Sequence, residues 1–377
     1  MRIKPFTCLV LFLALGARAA FAAGVSDPTS LSLRDETKNA IDKGLSFLRK
    51  QQKADGSWSS ADYPALTALP LRAFLHVPSG EYKAGEPFIE KGFDYIAGCA
   101  HPNGAIFKKD ELLNYNTSIC IMALADANEP KYADIIKAGR RHIIGEQQVL
   151  GKDNPLDGGI GYGDDDPHSD LSNMEAALEA LAYTKNYRDV SEKSKDLDYR
   201  AAIGFIQRCQ NLPGVNQEKW ASDDPKNKGG FIYYPGFSEA GKMDLGNGKV
   251  ALRSYGSMSY DGLLSYIYAD VKKDDPRVQA VLDWLQKNYT LEENPGLGPQ
   301  GRFYYYHTLT KALSTTGTGA LTLPGGKTAD WKSDLVQELV KLQKPDGSWA
   351  NTNGRWLEKD PVLVTSYCVL VLDMVAR

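Results

Sequence analysis

Two kinds of apolar stretch alternate along the chain. Stretches opening near Asp35, Pro87, Tyr132, Asp198, Pro276 and Asp330 place apolar residues at helical spacing with polar residues between them, which predicts amphipathic helices. Those at about 65–76, 115–127, 171–183, 255–269, 304–313 and 361–375 are apolar nearly all round, as helices buried on both sides are. Glu86-Pro87 and Asp275-Pro276 put an N-cap acid before a Pro at N1. A glycine-containing turn ending in an aromatic or branched residue separates each amphipathic helix from the buried one that follows.

The turns repeat. Gln52, Gly56 and Trp58 near one end are matched in spacing by Gln343, Gly347 and Trp349 near the other, and both copies read Asp-Gly-Ser-Trp. Weaker copies run through Ala100-Gly104-Ile106, Gln147 with Asp157-Gly158-Gly159, Gln210 with Gly229-Gly230-Phe231, and Trp284 with Gly298-Pro299-Gln300-Gly301. Six helical hairpins follow, and they predict an all-α fold, an α6/α6 toroid with six outer helices around six inner ones. Closure is favoured over an open solenoid because the last helix is strongly apolar, whereas a solenoid needs a polar cap on its terminal repeat. The repeat overrides the two domains that 377 residues would otherwise suggest, giving one domain over 35–377. Longer insertions at 152–158 and 211–228 fall on one rim and are expected to be mouth loops.

The N-terminus carries Arg2 and Lys4, an apolar run from Phe6 to Leu15, and small-residue sites ending at Ala19 and Ala22. This predicts a signal peptide over 1–22, a flexible segment over 23–34, and export to the periplasm or the medium. The run is too short to anchor the protein in a bilayer. Loss of Arg2, Lys4 and Arg18 with the leader takes the net charge from −3 to −6, which does not invite nucleic acid or anionic lipid. Cys99, Cys120, Cys209 and Cys368 lie far apart among apolar neighbours and read as buried free thiols.

The segment Lys43-Gly44-x-x-Phe47-Leu48-x3-Gln52-x3-Gly56-x-Trp58 resembles the QW motif of squalene and oxidosqualene cyclases, and the six-fold layout resembles the prenyltransferase β-subunits. The likeness spans roughly residues 35–377. It implies the toroid fold, with Gln and Trp tying an outer helix end to the next repeat.

In such a barrel the N-terminal ends of the inner helices face one mouth, where polar residues make the natural site. The acidic string Gly163-Asp164-Asp165-Asp166-Pro167-His168-Ser169-Asp170 stands where the cyclases carry their acid, and it names Asp166 and Asp170 as catalytic candidates. It matches neither the D-x-D-D nor the D-D-x-x-D pattern, and capping or a solvated loop also explains it. Tyr305-Tyr306-His307-Thr308 resembles the zinc-binding histidine element of the prenyltransferases. Ser257, Ser259 and Asp261 on the preceding inner helix offer no thiolate partner, so His307 is a catalytic candidate and no metal or cofactor is expected. Asn116, Asn173, Arg253, Tyr255, Tyr304 and Tyr306 are the expected ligand-binding residues, the tyrosines through their π faces.

Three functions fit this pattern. The resemblance implies a cyclase-like lyase or isomerase acting on a small apolar, isoprenoid-type ligand through a carboxylic acid. A binding toroid for a ligand or protein partner is the second. The third is a carbohydrate-active α/α barrel with a pair of carboxylates, for which Asp62 and Asp170 are the candidates.

Overall fold

The computed structural model describes residues 28–163, 168–188, 196–246 and 248–377, with side chains from residue 32 onward. Among them run twelve α-helices and two short β-hairpins. The outer helices are α1 (Pro28–Gln51), α3 (Pro87–Gly98), α5 (Ala133–Gly145), α7 (Tyr199–Arg208), α9 (Pro276–Lys287) and α11 (Trp331–Leu342). The inner helices are α2 (Ala65–His76), α4 (Leu113–Ala127), α6 (Leu171–Tyr183), α8 (Gly256–Tyr268), α10 (Arg302–Thr315) and α12 (Pro361–Ala376). Each inner helix packs on the next, and α12 packs back on α2 to close the ring. No described helix is long and apolar enough to cross a membrane.

The start of α1 at Pro28 lies seven residues before the Asp35 expected from the sequence, so 28–34 continues the first outer helix. The other helices open within three residues of the predicted positions. Asp198, Asp275 and Asp330 are side-chain N-caps of α7, α9 and α11, while Glu86 stands before α3 without a cap bond from its side chain. Cys99, Cys120, Cys209 and Cys368 are buried and free.

The repeated turns explain how the hairpins join. Gln52 Nε2 donates to the carbonyl of Phe88, Gln147 to Asp198, Gln210 to Arg277 and Gln343 to Ala40, each time reaching the next outer helix. The turn glycines Gly56, Gly104, Gly158, Gly229 and Gly347 have φ between +81° and +96°. A Cβ on any of them would lie within 2.4 Å of a carbonyl oxygen on that next helix. Glycine is thus required twice over, by conformation and by approach. Trp58 and Trp349 donate their indole N–H to Leu48 and Leu339, satisfying carbonyls in the last turn of their own repeat's outer helix. The fifth unit departs from the pattern, since no backbone crowds Gly298.

Candidate functional site

The N-terminal turns of the inner helices converge on a cavity of about 250 Å³. That is just below the roughly 300–1,000 Å³ range of small-molecule sites. Ala65 and Leu66 of α2, Tyr115 and Asn116 of α4, Ser172 and Asn173 of α6, Ser257 and Met258 of α8, Tyr304 of α10, and Leu363 and Tyr367 of α12 line it. Tyr63, Tyr162, Tyr233 and Tyr255 come from the loops, and Leu112, Trp356 and Leu357 complete the wall. Among the described residues seven tyrosines therefore face the space, and no wall residue carries a charge at neutral pH.

The positive ends of six helix dipoles would make this mouth electropositive. Carboxylates behind the wall offset that field. Asp170 caps α6, and Asp360 caps α12 by accepting from Val362 N at 2.8 Å. Glu358 caps α10 from outside the helix, accepting from Tyr304 N at 2.7 Å. Gly301 at the N-cap position has no side chain to do so. Asn116 does the same for α2, accepting from Ala65 N at 3.1 Å, and Asn294 for α8 through Ser257 N at 3.0 Å.

Below the tyrosines the lumen is charged. Lys311 of α10 bridges Glu175 at 2.8 Å and Glu179 at 2.7 Å, both from α6 across the ring. Burial pushes Glu175 up to about 7, against the pull of Lys311. Burial would lower Lys311, but the two glutamates outweigh it and keep the ammonium protonated. Asp261 of α8 accepts from the Tyr304 hydroxyl at 2.9 Å through Oδ2, while its buried Oδ1 has no hydrogen-bond partner. Burial, reinforced by the charge of Glu175, holds Asp261 far above the ordinary carboxylate range and so favours its neutral acid form. A Tyr115 to Tyr367 hydroxyl pair at 3.2 Å spans another part of the cavity wall. Arg72 and His76 meet Asp126 at 2.8 and 3.0 Å toward the opposite end of the inner helices.

Four of the expected ligand-binding residues, Asn116, Asn173, Tyr255 and Tyr304, are brought together in the wall. Arg253 is not: it is exposed on the rim beyond β1 (Lys242–Gly246) and β2 (Lys249–Leu252). Nor is Tyr306, which bonds Arg302 and the Leu291 carbonyl in the layer between α10 and the α9–α10 loop. Successive helical residues point about 100° apart, so Tyr304 and Tyr306 cannot share a face. Asp166 lies outside the described residues. Asp170 is buried behind the wall, accepting from Asn173 N at 2.9 Å, Asn173 Nδ2 at 2.7 Å and Ser172 Oγ at 2.7 Å. Burial raises it and those donors oppose the rise, which suits an N-cap with no free oxygen facing the cavity. His307 stacks on Tyr367 at 5.0 Å, and burial together with Lys311 and Arg72 keeps it neutral. Asp62 does not line the cavity either.

Sequence reasoning passed over Glu175, Glu179 and Lys311 and saw in Asp261 only a missing thiolate. Charged residues inside helices otherwise apolar all round were the available signal.

No protein-family model matches the sequence, and no curated protein matches it. Solved structures do. Ligand-free type II terpene cyclase MstE from Scytonema superposes with a TM-score of 0.55 at 12% identity, over 91% of this chain and 98% of that one. A variant of that cyclase in complex with merosterolic acid A, its product, gives 0.55 and 12% over 92% and 99%. A GH76 alpha-mannanase from Bacteroides thetaiotaomicron gives 0.57 and 12% over 90% and 95%. The fold is the α/α toroid. Terpene cyclases and GH76 enzymes both use it, so the likeness carries architecture and leaves chemistry to the site.

Proposed function

We propose that this chain is an exported α6/α6 toroid that takes an isoprenoid-type apolar group into its tyrosine-lined cavity and acts on it as a cyclase-like isomerase, with Asp261 as the acid. The supporting observation is the pairing of a largely apolar cavity, uncharged among the described residues, with a buried carboxyl one hydroxyl away from it whose burial favours the neutral acid. For the proton transfer the Tyr304 hydroxyl turns from Asp261 Oδ2, to which it donates in the resting structure, toward a ligand atom in the cavity. The protonated carboxyl then donates to the Tyr304 oxygen, and its proton replaces the phenol proton as that passes to the ligand. Asp261 is left as a carboxylate and the ligand as a cation, over which the tyrosine faces supply electrostatic support. Loss of a proton from another ligand carbon returns the acid, so the sequence consumes nothing and yields an isomer. The terpene cyclase complexes of the same fold lend an apolar ligand further support, and Asp62 and Asp170 outside the cavity give a paired-carboxylate glycosidase little to work with.

Among the described residues no charged side chain lines the cavity, which favours a second reading, a binding toroid without chemistry. Native mass spectrometry of the mature protein, incubated with a mixed lipid and glycan extract, separates the two. Isoprenoid retained and converted by the wild type, but only retained by Asp261→Asn, establishes the isomerase. Retention without conversion leaves the binding toroid, and capture of glycans alone overturns both.

A further inference from the structure

Trp356 and Leu357 have φ of +53° and +62°, two consecutive left-handed residues without a glycine. Side chains rarely adopt that conformation, and a pair of them persists only where surrounding contacts impose it. Both line the cavity, yet they remain 40% and 48% exposed, so they form its outer wall toward solvent. The contacts imposing the turn are polar and lie at the surface. Arg355 stacks over the Trp356 ring at 4.6 Å, donates to Gln300 at 3.1 Å and pairs with Glu239 from the loop before β1. The Trp356 ring in turn rests on Gly301, where a Cβ would stand 3.1 Å from two ring carbons.

The next residue leads inward. Glu358 is 1% exposed, and its carboxylate accepts from the N–H of Tyr304, whose hydroxyl holds Asp261. Asn351 Nδ2 steadies the other oxygen at 2.6 Å. A displacement of 354–358 therefore removes the cap of α10 and loosens the backbone that aims Tyr304.

We propose that residues 354–358 form a moving cover over the cavity, with Trp356 and Leu357 as ligand-contacting residues, Arg355 to Glu239 as its latch, and Glu358 as the link that sets Tyr304 when the cover closes. The proposal rests on the cavity being a ligand site, but the coupling between cover and α10 belongs to the free protein and can be measured without a ligand.

Hydrogen exchange followed by mass spectrometry on the ligand-free protein tests it. Arg355→Ala removes the ion pair to Glu239, the hydrogen bond to Gln300 and the cation–π contact with Trp356, so amides of 354–358 and of the first turn of α10 are expected to exchange about threefold to tenfold faster together, with α4 unchanged. Glu358→Gln is expected to speed the α10 amides while keeping the latch. Farnesol, added as an isoprenoid probe, should slow both segments in the wild type. Faster exchange in the cover without any change in α10 overturns the link, and no change in either overturns the cover. Coupled exchange that farnesol leaves untouched supports the moving cover and overturns the ligand-contact role of Trp356 and Leu357 together with the isoprenoid reading.

Discussion

Gln343 donates its amide to the carbonyl of Ala40 at 2.9 Å, joining two residues 303 positions apart. The bond is the same one that Gln52 makes to Phe88 between the first and second hairpins. The ring is therefore sealed by the device that builds it, and the seam between last and first repeat is an ordinary repeat junction.

Gly347 stands in that seam with φ +91°, and a Cβ there would fall 2.4 Å from the Lys43 carbonyl oxygen. Gly347→Ala is expected to cost about 3 kcal/mol or more, combining left-handed strain with backbone displacement. Gly317→Ala, at φ +65° in open space, should cost about 1 kcal/mol. Urea unfolding of the two variants provides the comparison, and equal costs would remove the seam from the account.

Much of this architecture was legible because it repeats. Helix positions followed from the alternation of amphipathic and wholly apolar stretches, and α2 and α6 match their expected bounds residue for residue. Asn116, Asn173, Tyr255 and Tyr304 were legible as mouth residues for the same reason, since each stands at the start of an inner helix. Arg253 and Tyr306 were misplaced because sequence position alone does not say which way a side chain leaves a rim or a helix. The charged lumen was illegible for a deeper reason. Lys311 lies 136 residues from Glu175, and only closure of the ring turns three solitary charges into a compensated set.

Lys311→Met would leave Glu175 and Glu179 facing each other without a cation. Removing one partner of a buried pair typically costs about 3–5 kcal/mol. Glu175 should respond partly by taking up a proton, so the loss is expected to be smaller at pH 5 than at pH 8. Denaturant unfolding at both pH values checks this. A loss below about 1 kcal/mol at pH 8 would mean that the triad is solvated.

Glu175 also gives stability a pH dependence of unusual sign. Its folded pKa of about 7 lies above the reference value of 4.5, so the folded state holds the proton more tightly than the unfolded one. Its contribution is fully present below about pH 4.5, declines as the pH rises, and is gone above about 7. One pKa unit corresponds to about 1.4 kcal/mol, making the decline across the window about 3 kcal/mol. Glu175→Gln should flatten that part of the profile. Melting temperatures from pH 4.5 to 8 would show it, and a wild-type profile that rises through the window would contradict the assignment.

Asp261→Asn separates the acid from its scaffold. Burial already favours the neutral carboxyl, so an amide of the same shape removes a proton source with little change of charge. The Tyr304 hydroxyl can still donate to the amide oxygen, and the amide nitrogen would take the place of Oδ1, which has no partner now. Stability is therefore expected to change by less than about 1 kcal/mol, while isomerisation falls by two or more orders of magnitude, about the range general acids contribute. Asp170→Ala should behave the opposite way. It deletes the N-cap of α6, costing about 1–2 kcal/mol, and leaves the chemical step in place once the protein is folded. Turnover of a converted isoprenoid, measured beside urea midpoints for both variants, decides between them. Loss of turnover in the folded Asp170→Ala protein with activity kept in Asp261→Asn would return the acid to the α6 rim.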